Sequence, residues 1–226
     1  MRLTTKLSIL ALLALTVHAV AAGRKKKTPP PEPWQGTKTV VVLPVKNEAA
    51  EGGQELADRV GVALKQALSA SRKFSVEGIH AFNPTIQRAL KESRGISEQS
   101  VQTAITEPTL DNVRLVAQAL KWDFVLEVTV KDYRVNATAA PIIADVTVNA
   151  VLYDVTTGQP FKHITTNGKG MPPRRKKNPT VEDAQANAIA EVVVKVVDEF
   201  LGRTPPPPPT PAEVKEGATV TEGAKK

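Results

Sequence analysis

The sequence predicts an α/β fold in which a small mixed sheet has helices packed on it. An uninterrupted apolar run at residues 39–45 is typical of a strand that is covered on both faces. Alternating apolar and polar residues at 124–131 and 145–153 predict an antiparallel pair with one apolar face. Between these segments, apolar residues spaced by three and four predict helices with one buried side. Together, the three patterns place strands and helices in alternation along most of the chain.

The composition limits the core and the chemistry. The chain has two Trp, two Tyr and five Phe among 226 residues, so its core must be built from Val, Leu, Ile and Ala. It has no cysteine, which excludes disulfides, thiolate metal sites and a thiol nucleophile. The fold therefore depends on packing alone. The formal net charge of +7 favours anionic or acidic partners.

Residues 1–22 have the layout of a secretory signal peptide. A basic start is followed by an apolar run from Leu7 to Val17, and small residues allow cleavage after Ala21 or Ala22. The run is too short to cross a hydrocarbon core of about 30 Å. A retained amino-terminal anchor is the alternative. Because no lipid-accepting cysteine follows, we expect the mature protein to be soluble rather than a lipoprotein. After cleavage it should have no transmembrane span and be periplasmic or secreted.

Two Pro-rich segments flank a single predicted α/β domain at residues 38–202. Residues 23–37 combine four consecutive basic residues with a run of prolines, which is typical of an extended arm. Residues 203–226 contain five consecutive prolines and a small polar end, which indicates a stiff spacer and a disordered tail. One domain is also the economical number for this length.

The first half of the domain reads strand, helix, strand. Pro44 marks the exit of the first strand, since proline cannot donate to a ladder. A helix follows the flexible Gly52-Gly53 pair, because apolar residues recur every four positions at Leu56, Val60, Leu64 and Leu68. Residues 74–76 are short enough to form the next strand.

Further helices are predicted before the central strands. Asn83 and Pro84 offer a side-chain cap and a proline at the first helical position. Gly95 is expected to end this helix. Residues 97–105 suggest one or two more helical turns, and residues 109–122 predict a helix that leads into the antiparallel pair.

The antiparallel pair should bury alternate side chains. On the first strand these are Phe124, Leu126, Val128 and Val130, and on the second they are Val146, Val148, Ala150 and Leu152. The opposite side of the first strand carries Val125, Glu127, Thr129 and Lys131, and is expected to be wetted by solvent. Thr157-Gly158 supplies a turn. A third strand at 158–166 is predicted, although Phe161 and Ile164 break the alternation.

A basic loop and a long helix close the domain. The loop, Gly168–Pro179, contains several prolines and four consecutive basic residues. Thr180 is the expected cap of the helix, and Gly202 lies just past its end. The apolar face of this helix is wide and comprises Ile189, Val192, Val193, Val196, Val197 and Phe200. We therefore expect the helix to form part of the core.

Five segments together resemble a family of bacterial envelope modules. They are VVVLPVKN, LADRVGVALKQALSASRKF, QALKWDFVLEVTVKDY, VNAVLYDVTTGQ and AIAEVVVKVVDEFLG. Their order is similar to the TolB amino-terminal domain, the curli secretion protein CsgG and the penicillin-binding-protein activator lipoproteins. In those families a small residue and an aspartate precede a strand, and an Asp-Val-x-Thr-Gly turn ends another. Here the counterparts are Trp122-Asp123 and Asp154–Gly158.

The resemblance covers residues 38–202 and implies both a fold and a role. The implied fold is a TolB amino-terminal-domain-like (anticodon-binding-like) sandwich. The implied role is non-enzymatic protein binding in envelope assembly, secretion or transport. The chain departs from the pattern in two ways. Leu120-Lys121-Trp122 stands where a glycine is usual, and neither a lipid-attachment cysteine nor β-propeller sequence is present.

The residues offer little for catalysis. Of three histidines, His18 lies in the leader, and His80 and His163 lack the spacing of metal ligands, so no metal site is predicted. Gly52-Gly53 lacks the lysine and hydroxyl residue of a phosphate loop, and no cofactor is predicted. An exported hydrolase using Glu127 and Asp145 is the alternative, if the strand register brings these carboxylates together. Otherwise both belong to the wetted sheet face.

Two basic segments are the strongest chemical signals. The candidate partner-binding residues are Arg24, Lys25, Lys26, Lys27, Trp34, Arg174, Arg175, Lys176 and Lys177. Solvated charge is one interpretation, and contact with an envelope protein or an anionic envelope surface is the other. A structural wall-binding protein held by these segments is a further alternative. Nucleic acid is not expected, because aromatic residues other than Trp34 are missing from them. Trp34 itself either caps the first strand or anchors a partner.

Overall fold

The computed structural model describes residues 34–138, 141–173 and 178–203. Their strands are β1 (Lys38–Val42), β2 (Lys46–Asn47), β3 (Phe74–Glu77), β4 (Phe124–Asn136), β5 (Ile143–Asp154) and β6 (Pro160–Gly170). Their helices are α1 (Gly53–Ala70), α2 (Pro84–Lys91), α3 (Glu98–Thr106), α4 (Leu110–Ala119) and α5 (Val181–Phe200). The predicted signal peptide, residues 23–33 of the predicted arm and residues 204–226 of the predicted tail lie outside the described residues.

The strands form a mixed sheet in the order β3-β1-β4-β5-β6. β1 runs parallel to both β3 and β4, whereas β4, β5 and β6 form an antiparallel meander. The two-residue β2, which the sequence analysis missed, pairs in parallel with β4 at Thr129 and Val130. The predicted α/β class, with a small mixed sheet and helices packed on it, is confirmed.

The helices cover the two faces of the sheet unequally. α1 and α5 pack on one face and enclose the larger apolar core, while α2, α3 and α4 cover the opposite face only near β1 and the start of β4. Val40 and Val42 point into the larger core, and Val41 and Leu43 into the smaller one. The prediction that this first strand is covered on both faces is therefore confirmed.

The antiparallel pair buries the residues that alternation predicted. Leu126, Val128 and Val130 of β4 face the larger core together with Val148 and Leu152 of β5, all of them almost inaccessible to solvent. The opposite face differs from expectation at Val125 and at Thr129, which is only 7% exposed. Val125 is fully buried in the smaller core, because α4 packs against the start of β4. The expectation that Val125 and Thr129 are wetted by solvent was therefore wrong.

Side-chain caps set the helix starts as predicted. Asn83 accepts hydrogen bonds from the backbone N–H groups of Thr85 and Ile86 at the start of α2. Thr180 and Asp183 form a reciprocal capping box at the start of α5. The expected end of α2 was wrong, because the helix stops at Lys91, ahead of Gly95.

Irregular pairing explains why the third predicted strand breaks the alternation. The pairing of β5 with β6 shifts register between Leu152 and Tyr153, so the first residues of β6 are out of step with the rest of the strand. Phe161 and Ile164 therefore do not alternate strictly. The predicted loop start at Gly168 was wrong. The strand continues to Gly170, because both glycines pair with β5 directly beneath α5, where a larger residue would collide with the helix backbone.

Candidate partner-binding surfaces

A crevice opens at the carboxyl ends of β1 and β3. From β1 the chain passes through α1 on one face to reach β3, and then through α2, α3 and α4 on the other face to reach β4. The chain thus reaches β3 and β4, the two neighbours of β1, through helices on opposite faces of the sheet. In α/β sheets this reversal leaves an open space at the strand ends, where ligands commonly bind. We refer to this space as the crevice.

Apolar side chains form most of the crevice wall. Its volume is about 550 Å³. The apolar lining comes from the end of β1 and the segment after it, from α1, and from α3 and the loop that follows, and it includes Val41, Leu43, Val45, Ala57, Val62, Ala104, Ile105 and Pro108. Predominantly apolar concave sites with a few polar groups are typical binding sites.

Two exposed apolar side chains belong to this lining or follow it in the chain. Val62 on α1 is 57% exposed and lines the crevice. Phe82 is 89% exposed, and it lies in the turn that follows the crevice residues Ile79 and His80. The turn is fixed, since the Asn83 N–H donates to the His80 carbonyl at 3.0 Å. Phe82 thus adds an exposed apolar group two residues along the chain from the crevice lining.

Charged groups stand at the mouth of the crevice. Asp58 accepts a hydrogen bond from the Gln54 side-chain amide at 3.0 Å, and Glu77 accepts one from the Asn83 amide at 3.2 Å. Within the described part of the chain, Lys65 has no hydrogen-bond or ion-pair partner. The mouth thus offers two oriented carboxylates and an available ammonium around an apolar interior.

The uncovered face of β4, β5 and β6 carries a second polar group of residues. Lys46 Nζ lies 2.6 Å from Glu127 Oε1, and the Tyr153 hydroxyl donates to Glu127 Oε2 at 3.4 Å. The hydrogen bond to Glu127 raises the pKa of Lys46 above its ordinary value. Burial, followed by the Glu127 charge, raises the pKa of Tyr153. Glu127 is therefore engaged as an ion-pair and hydrogen-bond acceptor.

The strand register separates the two carboxylates of the hydrolase hypothesis. Glu127 of β4 lies opposite Val151 of β5. Asp145 of β5 lies opposite Arg134, which is seven residues further along β4 than Glu127. At about 3.3 Å per residue, the two positions are roughly 20 Å apart along the strand. Paired carboxyl catalysis needs a separation of about 5–10 Å. The structure overturns the hypothesis of a Glu127 and Asp145 catalytic pair.

The two aspartate motifs that suggested the family have structural contacts. Asp123 binds the Lys38 Nζ and the Thr39 backbone N–H, each at 2.8 Å, and so fastens the start of β1 to β4. Asp154 Oδ1 accepts the Thr157 backbone N–H at 2.8 Å and stabilises the turn into β6. Both carboxylates thus shape the end of the sheet opposite the crevice.

Of the predicted partner-binding residues, only Trp34 lies within the described chain. Its ring centroid is 5.3 Å from that of Phe74, 5.4 Å from Phe124 and 5.8 Å from Phe161. The half-buried indole thus closes one end of the larger core, as the strand-capping interpretation expects. The two basic segments, Arg24–Lys27 and Arg174–Lys177, fall outside the described residues, and their role stays a prediction.

Sequence reasoning missed the crevice. The side chains that line it come from β1, α1, β3 and α3, and no short motif connects them. The one available signal was Phe82, an aromatic residue in a predicted turn between a strand and a helix. Among the described residues, no group of histidine and carboxylate side chains could hold a metal ion. None of the described helices combines the length and apolarity that a membrane crossing requires.

Comparisons with known proteins find likeness in structure. No family model matches the chain, and no curated protein matches it in sequence. Lipoprotein GNA1162 from Neisseria meningitidis is 16% identical with a TM-score of 0.41, covering 73% of this chain and 99% of its own. A PelC dodecamer from Paraburkholderia phytofirmans is 14% identical with a TM-score of 0.43, covering 78% and 97%.

The LpoB C-terminal domain from Escherichia coli is 16% identical with a TM-score of 0.37, covering 60% of this chain and 85% of its own. The chain is thus similar in structure to lipoprotein GNA1162, PelC and the LpoB C-terminal domain.

Proposed function

We propose that this protein is a non-enzymatic interaction module, exported into the bacterial cell envelope, that binds another protein in assembly, secretion or transport. The observation that carries this proposal is the apolar crevice with Phe82 and Val62 exposed beside it. The signal-peptide layout of residues 1–22 supports export.

The crevice fits a protein partner that presents apolar side chains. Interface energy is concentrated where large side chains fill pockets that exclude water. A partner's apolar side chain in the crevice would be sealed from solvent by Phe82, which has little to contact in the free protein. Asp58, Glu77 and Lys65 would then form the polar rim and select the partner's orientation.

Removing the exposed apolar groups should abolish binding while leaving the fold intact. We expect the double variant Phe82→Ser, Val62→Ser to capture much less of the partner protein than the wild type does. The reason is that each side chain contributes to the interface and contributes little to the core. Affinity capture of the tagged mature protein from isolated envelopes, with quantitative mass spectrometry of the bound proteins, provides the measurement. Loss of one strong anchor costs about 2 kcal/mol or more, which is a loss of at least roughly thirtyfold in affinity.

Leu115→Ser is the matched control for this experiment. Leu115 is also an exposed apolar side chain, at 59%, but it lies on α4 away from the crevice lining. This variant should recover the same partner as the wild type. Equal recovery by the double variant and the wild type would contradict the assignment of the crevice as the binding site.

The basic segments are proposed to add a contact with the envelope. Four consecutive positive charges at Arg174–Lys177 follow Pro172 and Pro173, and prolines limit how far a loop can spread. Attraction between exposed charges and an anionic surface is screened over about 8 Å at physiological salt. Association with isolated envelopes should therefore weaken as salt rises.

Replacing Arg174, Arg175, Lys176 and Lys177 by Ser should lower this association at low salt. The melting temperature should stay the same, since all four positions lie in the sequence between β6 and α5 and the apolar core of the described residues includes none of them. Co-sedimentation with envelopes across a salt series gives the measurement. Binding that is indifferent both to salt and to the four substitutions would show that these charges serve only solvation.

A further inference from the structure

β6 forms one edge of the sheet and pairs, among the described strands, only with β5. An edge strand of eleven residues exposes a row of backbone donors and acceptors that another strand could use. The outward-facing groups belong to alternate residues. The Asn167 carbonyl and the Lys169 N–H bind side chains of α5 rather than the backbone of β5. The backbone N–H and C=O groups of the odd-numbered residues of β6 therefore point away from β5, toward the open edge.

Three side chains of α5 reach these outward-facing groups. The Asn187 amide donates to the Met171 carbonyl at 2.6 Å, just past the strand end. Glu191 Oε2 accepts the Lys169 N–H at 3.3 Å, and Lys195 Nζ donates to the Asn167 carbonyl at 2.8 Å. Glu191 and Lys195 also form an ion pair at 2.6 Å. We call these three residues, spaced four apart on one side of the helix, the edge row.

Two glycines of β6 let α5 come close enough for this contact. A Cβ atom at Gly168 would lie 2.2 Å from the Ala188 carbonyl oxygen, and one at Gly170 would lie 1.9 Å from the Ala184 carbonyl oxygen. The helix backbone therefore rests directly on the carboxyl half of β6. Because the helix is this close, the side chains of Asn187, Glu191 and Lys195 can reach the backbone groups at the strand edge.

We propose that the edge row closes β6 against strand addition by a second copy of this chain. A second copy fits the edge because β6 can pair with itself in antiparallel fashion about a two-fold axis. With Thr165 opposite itself, His163 faces Asn167 and Lys162 faces Gly168, so no like charges meet. In the wild type, the edge-row side chains already bind the backbone groups that a second strand would need. They also fill the space that would lie between the two α5 helices of such a dimer.

Because the chain has no cysteine, a single thiol introduced at the edge can be crosslinked without competing thiols. Thr165→Cys places one thiol on the exposed face of β6, within reach of its copy across the two-fold axis. This substitution is made in the full mature chain, both alone and with Asn187→Ala, Glu191→Ala and Lys195→Ala. Alanine preserves the helix, because it is the strongest helix former. A short thiol-specific crosslinker then reports pairing, and light scattering reports mass.

The edge-row triple variant should give at least about tenfold more crosslinked dimer than Thr165→Cys alone. A control with Ser75→Cys on β3, the opposite edge of the sheet, in the same triple background should give no increase. Equal crosslinking with and without the edge row would overturn the proposal, as would a triple variant that stays monomeric at every concentration with an unchanged melting temperature.

Discussion

A chain that ends at Pro179 is expected not to fold. Such a chain lacks α5, which packs against β5, β6 and α1. The helix buries six large apolar side chains almost completely, namely Ile189, Val192, Val193, Val196, Val197 and Phe200. At about 1.5–3 kcal/mol each, their burial contributes roughly 10 kcal/mol or more, comparable with the net stability of a whole domain.

Circular dichroism during a thermal melt checks this expectation. The truncated chain should show no cooperative transition. A chain that ends at Thr204 is the control, and it should melt close to the full-length temperature because it retains all of α5. A cooperative melt of the Pro179 truncation near the wild-type temperature would refute the assignment of α5 to the core.

Replacing Gly170 by Ala should destabilise the domain by about 3 kcal/mol or more, at the upper end of the usual cost of overpacking. The new methyl group would lie 1.9 Å from the Ala184 carbonyl oxygen and 2.2 Å from the Ala188 nitrogen. Both atoms belong to the helix backbone, so no side chain can turn away to relieve the collision. α5 would have to lift from β6. For a domain of this size, the melting temperature should fall by at least about 6 °C.

Gly78→Ala provides the matched control. The nearest atom to its added methyl group is Cδ2 of the His80 side chain, at 3.2 Å, and that ring can move. Denaturant unfolding of the two variants should therefore differ strongly in midpoint. A Gly170→Ala variant as stable as Gly78→Ala would show that α5 does not rest on the β6 backbone.

Local patterns were sufficient to predict most of the elements. The caps at Asn83 and Thr180 act over three residues, and strand alternation acts over two, so both are visible in a linear sequence. Features that depend on distant partners were not predictable in this way. β2 exists only because β4 continues beside it, and the strand character of Gly168 and Gly170 depends on a helix that begins eleven residues after Gly170.

The candidate site was harder to predict than the fold. Sequence reasoning favoured charged runs and carboxylates, because these stand out in a one-dimensional pattern. The crevice instead arises from topology, because the connections to β3 and β4, the two neighbours of β1, run over opposite faces of the sheet. Glu127 and Asp145 looked like a pair only until the β4 and β5 register was known.

Site-specific photocrosslinking in living cells tests the central claim most directly. A benzoylphenylalanine at position 82 replaces one exposed aromatic ring by another and captures whatever contacts it. We predict a covalent adduct with one envelope protein from position 82, the same protein from position 62, and none from position 115 on α4. An adduct from position 115 but none from positions 82 and 62 would contradict the account, because the partner would then bind away from the crevice.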